Sequence, residues 1–311
     1  MIEQHFLNEL ELNLFEKIES VNEVILSKFD PESYIELLEK YPENPSYQFT
    51  SNDVLSFCDF FSKEFGADTL ELFHKLVFIK LITKNQPIIL KRFPEDIIYW
   101  FGKNFNRIIK TIRRNSRKKG LFLYPNDNFF KDLGVCCMRM IPLGSQKVHI
   151  SGFSRNFVVK NGITQLIRGS LFYFFKASSN EPYYQMHTDS HDLDLLKEMR
   201  KSADGGSERF YLNVASLLRM NKRIKGIFGA SWMNDPQLKN ISPSFFYGTK
   251  LALDNGAAVF KLDTTERDFK RATHASKKRA EFYSSGKYQP TKYLLIWPRK
   301  YLLKWADTYR A

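Results

Sequence analysis

The sequence predicts an α/β protein with a helical front part, followed by a mixed, mostly antiparallel sheet with flanking helices. Up to about residue 130, apolar residues recur at three- and four-residue spacing, which is the period of an amphipathic helix. After about residue 134, short runs rich in β-branched and aromatic residues lie between Gly, Asn and Ser, which is typical of strands. We therefore expect a helical part at 1–130 and a mixed α/β domain at 131–311.

In the front part the apolar spacing predicts several helices. They are expected at 7–21, 32–41, 51–65 and 69–83. Asp30 is a suitable N-cap with Pro31 at the first helical position, and Gly66 is expected to end the third helix. Pro87 and Pro94 are expected to punctuate two further segments.

In the back part strands and helices alternate. Strands are predicted at 135–141, 157–160, 171–177, 183–187, 224–232 and 292–298, with one or two more between 245 and 262. Helices are predicted at 208–220 and 276–284 and at the end of the chain, with a helical turn at 235–241.

The bulk composition bounds the class of protein and of partner. Of the 311 residues, 43% are hydrophobic and 15% aromatic, which is ample material for a buried core. The formal net charge of +13 favours acidic partners, namely nucleic acid, phosphorylated cofactors or an anionic membrane, although basic proteins without such a partner are equally common.

Cysteine usage and the first residues bear on location. Cys58, Cys136 and Cys137 are too few and too unevenly spaced for a disulfide framework or a zinc site, so we expect reduced thiols and no metal. The opening Met-Ile-Glu-Gln-His is not typical of a secretory signal, and no apolar run is long enough to cross a bilayer. We expect a cytoplasmic protein with no membrane partner. The oligomeric state stays open.

One histidine and one aspartate at the end of a predicted strand form a candidate site. His187 and Asp189 have the His-x-Asp spacing with which non-haem iron oxygenases hold Fe(II), and His274 is a candidate second histidine. A polar turn without a metal is the alternative interpretation. With or without a metal, we expect His187 and Asp189 to line a cleft.

The order of elements from residue 171 onward suggests a different chemistry. Strands are followed by a glycine-containing loop, the helix at 208–220, the strand at 224–232 and a short helical turn. This order is similar to the catalytic core of the GNAT superfamily of N-acetyltransferases. The resemblance implies that the strands at 183–187 and 224–232 are neighbours that diverge, so that the thioester of acetyl-CoA or another acyl-CoA can reach an amine.

The same resemblance assigns the cofactor loop. In that family the loop before the helix holds the pyrophosphate, because backbone N–H groups and a helix N-terminus form an anion site. The matching residues here are Arg200, Lys201, Gly205, Gly206 and Ser207. The family pattern has a glycine at the third position after its first residue, whereas this sequence has none at the third position after Arg200. A Gly-Gly pair is also a common entry to a helix.

Two further residues are candidates for catalysis. Ser231 follows a strand and would face a pocket, whereas Asn234 or Asp235 is expected to cap the next turn. The hydroxyl of Tyr247, or that of Tyr283, is a candidate general acid.

A basic stretch at 103–119 contains no acidic residue. If it is one helix, Phe105, Ile108, Ile109 and Ile112 form its apolar edge. Its exposed cations, with Arg113, Arg114 and Arg117 as the candidates, would bind a phosphate backbone in a salt-dependent way, or else form a solvated face. A second basic group comprises Lys270, Arg271, Lys277, Lys278 and Arg279.

Three functions therefore remain open. The first is acyl transfer from acyl-CoA to an amine of a small molecule or peptide, the second an iron-dependent oxygenase, and the third nucleic-acid binding without catalysis. An open mixed sheet favours the first, whereas a closed barrel favours the second. The sequence contains no Walker loop, dinucleotide-binding glycine motif, kinase motif or HExxH.

Overall fold

The structure is a computed structural model. It describes residues 1–39, 52–114, 120–123, 126–144, 146–154, 156–159, 161–177, 182–188, 206–274 and 276–309. The chain forms two compact units, Met1–Pro142 and Leu143–Ala311. The predicted α/β class is confirmed, as is the mixed, mostly antiparallel sheet with flanking helices.

The first unit is built from helices. They are α1 (Gln4–Val21), α2 (Ile25–Lys28), α3 (Pro31–Glu39), α4 (Asn52–Phe65), α5 (Ala67–Arg92), α6 (Glu95–Arg113) and α7 (Asp127–Cys136), and the two-residue strand β1 (Ile141–Pro142) ends the unit. Five of these helices, α1, α3, α4, α6 and α7, pack against α5. This central position explains why apolar residues lie all round α5 instead of forming one stripe.

The boundaries of the early helices follow the predicted signals. The Asp30 carboxylate accepts hydrogen bonds from the backbone N–H groups of Glu32 and Ser33, at 3.3 and 2.9 Å, and so caps α3. Gly66 has a φ of +85° between α4 and α5, a conformation that glycine adopts without strain.

The predicted break at Pro87 is wrong, because this proline lies inside α5. A proline within a helix removes one backbone hydrogen bond and costs about 3 kcal/mol. The five helices packed around α5 supply enough burial to keep it continuous up to Arg92.

The second unit contains one sheet whose strand order differs from its chain order. Its strands are β2 (Gln146–Ser151), β3 (Tyr183–Thr188), β4 (Gly226–Ser231), β5 (Ala258–Lys261) and β6 (Tyr293–Pro298), arranged β2-β3-β4-β6-β5. The β2–β3, β4–β6 and β5–β6 pairs are antiparallel, whereas β3 and β4 are parallel. Gly226 makes the β4–β6 approach possible, since a Cβ there would lie 2.3 Å from the carbonyl oxygen of Trp297.

Helices cover both faces of this sheet. They are α8 (Asn156–Val159), α9 (Ile163–Phe175), α10 (Gly206–Met220), α11 (Leu238–Ile241), α12 (Pro243–Asp254), α13 (Glu266–His274), α14 (Lys277–Ser284) and α15 (Arg299–Tyr309). On one face, Phe157 of α8 and Phe172 of α9 pack in the same cluster as Ile296 of β6. On the other, Trp297 contacts Tyr211 of α10 and Trp305 of α15.

Three predicted strands are wrong. Residues 135–136 end α7, and the stretch around Phe157 forms the single turn α8. The segment 171–177 contains the second half of α9. Each run is short, apolar and aromatic, and such runs do not distinguish a strand from a helix by their period alone. The region from 245 to 262 likewise holds α12 as well as β5.

Five other elements of this unit lie where the sequence predicted them, whereas β2 and α13 were not predicted. The strands over 183–187, 224–232 and 292–298 correspond to β3, β4 and β6, and the helices over 208–220 and 276–284 to α10 and α14. Ser276 caps α14 by accepting from the backbone N–H of Arg279 at 3.3 Å.

Candidate active site

The central feature of the second unit is the parallel pair β3 and β4. These strands are neighbours, as the sequence predicted, and their ladder pairs Tyr184 with Ile227 and Gln185 with Phe228. Within the described residues no further pair joins 186–188 to 229–231, although β2–β3 and β4–β6 each pair over six positions. The parallel ladder of β3 and β4 is thus shorter than the antiparallel ladders on either side of it.

Met186 of β3 packs on Gly229 of β4, one position beyond this ladder. A Cβ at Gly229 would lie 2.7 Å from the Cε atom of Met186, so the methionine side chain rests directly on the glycine backbone. Any larger residue at 229 would displace Met186. A thioether chain has three rotatable bonds and adapts easily to a new neighbour.

A buried amide fixes the turn that follows β4. The side-chain NH₂ of Asn234 donates to the carbonyl oxygens of Gly229 and Tyr293, at 2.9 and 3.2 Å. Its Oδ1 accepts from the hydroxyl of Thr249 on α12 at 3.0 Å. The Asn234 side chain thus ties β4 to β6 and to α12.

At the end of β3, two histidines contact each other. His187 Nε2 lies 2.8 Å from His149 Nδ1 of β2, and the ring centroids are 4.7 Å apart. Since one nitrogen must donate and the other accept, the two rings share a single hydrogen at this contact. The His149 side chain is buried, whereas the His187 side chain is half-buried and so is partly open to solvent.

Helix α10 begins at Gly206, at the end of the segment that follows β3. In its first turn, Glu208 accepts a hydrogen bond from the Tyr247 hydroxyl of α12. That hydrogen bond, together with burial, raises the pKa of Tyr247 to about 12. A Cβ at Gly248 would lie 2.8 Å from Ser207 Oγ, so α12 packs closely on the start of α10.

Two candidates at the end of β4 serve as caps. The Ser231 hydroxyl accepts from the Met233 N–H at 3.1 Å. Asp235 is fully buried, and its carboxylate accepts from the N–H groups of Gln237 and Thr291, each at 3.0 Å. Burial raises the pKa of Asp235 despite these hydrogen bonds. Asp235 thus caps the turn at 236–237, whereas α11 begins at Leu238 with Gln237 as its N-cap.

The other sequence candidates fall into two groups. Asp189, Arg200, Lys201, Gly205 and Arg117 lie outside the described residues. Among those described, His187 and Ser231 end neighbouring parallel strands, Gly206 and Ser207 begin α10, and Tyr247 lies against the first turn of α10.

Sequence reasoning missed His149 and Glu208. His149 lies on β2, where polar residues alternate with the apolar Val148 and Ile150. This alternation is the usual signal of a half-buried strand and could have identified β2. Nothing local links Glu208 to Tyr247, which is 39 residues away.

The oxygenase alternative is contradicted by the fold. It requires a closed antiparallel barrel, whereas the described strands form an open sheet with β2 and β5 at opposite sides of the parallel pair. His274 ends helix α13 instead of lying in a strand. Over the ranges that the structure describes, no three His, Cys, Asp or Glu side chains gather as metal ligands.

The first basic region is confirmed as part of a helix over 103–113, and its predicted apolar edge is buried. Several of its cations have partners in the first unit. Arg107 forms a two-point ion pair with Asp132, and Lys103 lies 4.9 Å from the centroid of Trp100. The second basic group belongs to the other unit, where Arg279 is buried between the rings of Trp232 and Phe245.

No described helix combines the length and the apolar content that crossing a bilayer requires.

Comparison with known proteins gives a distant likeness only. No family model matches the chain, and no curated protein does. The chain is similar to a solved acyltransferase in complex with decanoyl-CoA and teicoplanin, with 11% identity, a TM-score of 0.37 and 73% of this chain covered. A second solved acyltransferase, in complex with CoA and 10C-teicoplanin, has 11% identity, a TM-score of 0.36 and the same coverage. The match spans 66% of the length of each acyltransferase, just under two thirds. TM-scores of this size carry no argument about activity.

Proposed function

We propose that this chain transfers an acyl group from an acyl-CoA to an amine, using a GNAT-like second unit. The observation that carries the proposal is the parallel pair β3 and β4, whose ladder ends at Gln185 and Phe228. The chain leaves β3, enters α10 at Gly206, and returns to the sheet as β4. We infer that the two strands diverge beyond this ladder, so that an extended ligand would lie in the opening between them with the N-terminus of α10 at one end of it.

The opening suits the chemistry of coenzyme A. The pantetheine arm contains amide groups, which the backbone of the strand ends beyond this ladder would bind. The pyrophosphate would lie at the start of α10, where the helix carries about half a positive charge. Gly206 adds no side chain there, so a phosphate can approach the backbone closely. Arg200 and Lys201 of the preceding segment would add charge.

The proton of the acceptor amine needs a base. His187 lies at the end of β3, beside the opening, and its contact with His149 fixes the orientation of the ring. An imidazole held in one orientation is a suitable general base, and the bound acyl-CoA supplies the activated carbonyl that the amine attacks. His187 would therefore take the proton of the amine, and His149 would position the His187 ring. As the C–N bond forms, the thioester C–S bond would break, and coenzyme A would leave as the thiolate and take up the proton from His187. The acceptor is an amine of a small molecule or peptide.

Thermal denaturation of the full chain with acetyl-CoA tests the proposal. A ligand that binds only the folded state raises the melting temperature by mass action. We expect acetyl-CoA to raise it for the natural chain, Gly206→Val to abolish the shift, and Gly206→Ala to reduce it. Glu266→Val, which also places a β-branched residue at the exposed start of a helix, should retain the full shift. No shift in the natural chain at millimolar acetyl-CoA would overturn the proposal.

A second candidate function concerns α6 in the first unit. Its polar face forms an open depression lined by Lys103, Asn106, Arg107, Lys110, Thr111 and Arg114. This cationic surface favours salt-dependent polyanion binding, because each phosphate contact releases condensed counterions. Replacing Arg113, Arg114 and Arg117 by Gln should lower both the affinity for a DNA duplex and its salt dependence. Unchanged binding would leave α6 as a solvated face.

A further inference from the structure

Helix α9 presents an apolar face to solvent. Ile163, Ile167, Leu171, Phe174 and Phe175 are each between 54% and 79% exposed. Their spacing of four, four, three and one residues places them on one side of a helix. We call these five residues the α9 stripe. Single exposed apolar side chains are ordinary, whereas a continuous row of five on one helix marks an interaction surface.

The opposite side of α9 is fixed to the sheet. Phe172 is buried, and its ring centroid lies 5.4 Å from that of Phe260 on β5. The Gln165 side chain accepts from the backbone N–H of Lys261 at 2.8 Å and donates to the Lys261 carbonyl at 2.9 Å. Gly169 packs against α8, since a Cβ there would lie 3.3 Å from the Cα of Val158. Rotation of α9 to bury the stripe would break all of these contacts.

The charge around the stripe indicates what covers it. Between Asp132 and Glu181 the sequence contains no acidic residue, and its cations include Arg168 and Lys176, both exposed and both beside the stripe. The whole chain carries a net charge of +13. A second copy would bring the same basic segment against itself, which like-charge repulsion opposes. A surface that complements both the stripe and its neighbouring cations has an apolar interior beneath a negatively charged outer layer.

We propose that the α9 stripe docks this protein onto the surface of a bilayer that contains anionic phospholipid. Apolar and aromatic residues on one face with cations beside them are the features of a helix that lies in the membrane interface. The thirteen residues of α9 span about 20 Å, less than the hydrocarbon thickness of about 30 Å, so the helix lies on the membrane and does not cross it. The sequence alone predicts no membrane partner, because no apolar run is long enough to cross a bilayer and because residues 171–177, where α9 ends, are predicted as a strand.

Flotation of the full chain with lipid vesicles tests this docking. The vesicles contain either phosphatidylcholine alone or phosphatidylcholine with phosphatidylglycerol at a ratio of about 2:1, so that the charge of the surface is the variable. We expect binding to the anionic vesicles, and weaker binding to the neutral ones. The combined variant Ile167→Ser, Phe174→Ser and Phe175→Ser should lower the partition coefficient for anionic vesicles at least tenfold.

The matched control replaces exposed leucines elsewhere. Leu12→Ser with Leu90→Ser removes exposed apolar side chains from α1 and α5 and should bind vesicles like the natural chain. Melting temperatures verify that all variants are folded. Arg168→Glu should lower binding to anionic vesicles and leave binding to neutral ones unchanged.

Three results would overturn the docking. The first is no binding of the natural chain to anionic vesicles. The second is unchanged vesicle binding by the stripe variant, which would mean that basic residues alone bind the vesicles. The third is a concentration-dependent dimer, seen by sedimentation without lipid and lost in the stripe variant, which would identify the occupant as a second copy.

Discussion

Two histidine clusters, one in each unit, differ in burial and in chemical freedom. In the first unit, His74 Nδ1 lies 2.7 Å from the Phe122 carbonyl oxygen, and Nε2 lies 3.1 Å from the Tyr34 hydroxyl, with the Cys58 sulfur at 3.8 Å. We call His74, Tyr34 and Cys58 the sealed cluster. In the second unit, His149 of β2 and His187 of β3 contact each other across neighbouring strands of the sheet.

Burial decides what each cluster can do. It lowers the pKa of His74 to about 4 and raises the pKa values of Tyr34 and Cys58, so the sealed cluster stays uncharged at neutral pH. Its three side chains satisfy one another and hold α3, α4 and α5 together. His187 is half-buried, at the end of the strand where the proposed acyl-CoA would bind. The comparison teaches that hydrogen-bonded histidines act chemically only where a reactant can reach them.

The largest expected effect is on catalysis through His187. Replacing His187 by Gln should lower the rate of acyl transfer about 10²- to 10⁴-fold, the range typical for loss of a general base. Acetyl-CoA should still raise the melting temperature of this variant. The control His274→Gln, at the exposed end of α13, should keep the natural rate. If the His187→Gln variant kept the natural rate, His187 would have no catalytic role, and the two histidine clusters would not differ in function.

The second prediction concerns the pH dependence of the sealed cluster. The unfolded chain protonates His74 near pH 6.5, whereas the folded chain resists protonation down to about pH 4. The unfolded state therefore binds more protons in this window, and the free energy of unfolding should fall by about 3 kcal/mol as the pH drops from 6.5 to 4. Denaturant titrations across this range measure the fall. His74→Gln should remove this contribution, and His5→Gln, at an exposed position, should retain it.

A smaller effect is expected from Tyr34. Tyr34→Phe removes the hydroxyl that contacts His74 Nε2 and leaves a buried nitrogen short of a partner, which costs about 1–3 kcal/mol of stability. Tyr283→Phe, at an exposed tyrosine, should change stability by much less. Equal melting temperatures for the two variants would mean that the contact within the sealed cluster contributes nothing.

The smallest effect is expected at Tyr247. Tyr247→Phe removes its hydrogen bond to Glu208 and should cost about 0.5–1.5 kcal/mol of stability. If Tyr247 only holds α12 against α10, the rate of acyl transfer should fall far less than in His187→Gln. A loss as large as that of His187→Gln would instead support Tyr247 as the general acid.

The sequence located some parts of the candidate site and missed others. It placed His187 at a strand end because the run before it is bounded and β-rich, and it placed α10 because its apolar residues follow the helical period. It missed His149, since the partner of a strand residue lies on another strand, here 38 residues away. Local patterns do not specify which distant strands pair.

The two amphipathic helices α6 and α9 show the same limit in another form. The apolar edge of α6 was predicted and is buried. The aromatic end of α9 was predicted as a strand, and its apolar side is the exposed one. The spacing of apolar residues shows that a helix has an apolar and a polar side. Packing against the rest of the protein decides which side is buried.

By itself, the sequence determined the α/β class, the helices with a clear period of 3.6 residues and the strands with clear boundaries, because these depend on neighbours a few residues apart. The tertiary structure decided the strand order, the parallel contact of β3 with β4, the pairing of His149 with His187 and the outward side of α9. These features depend on residues far apart in the chain, whose contacts form only when the sheet and its covering helices bury a shared core.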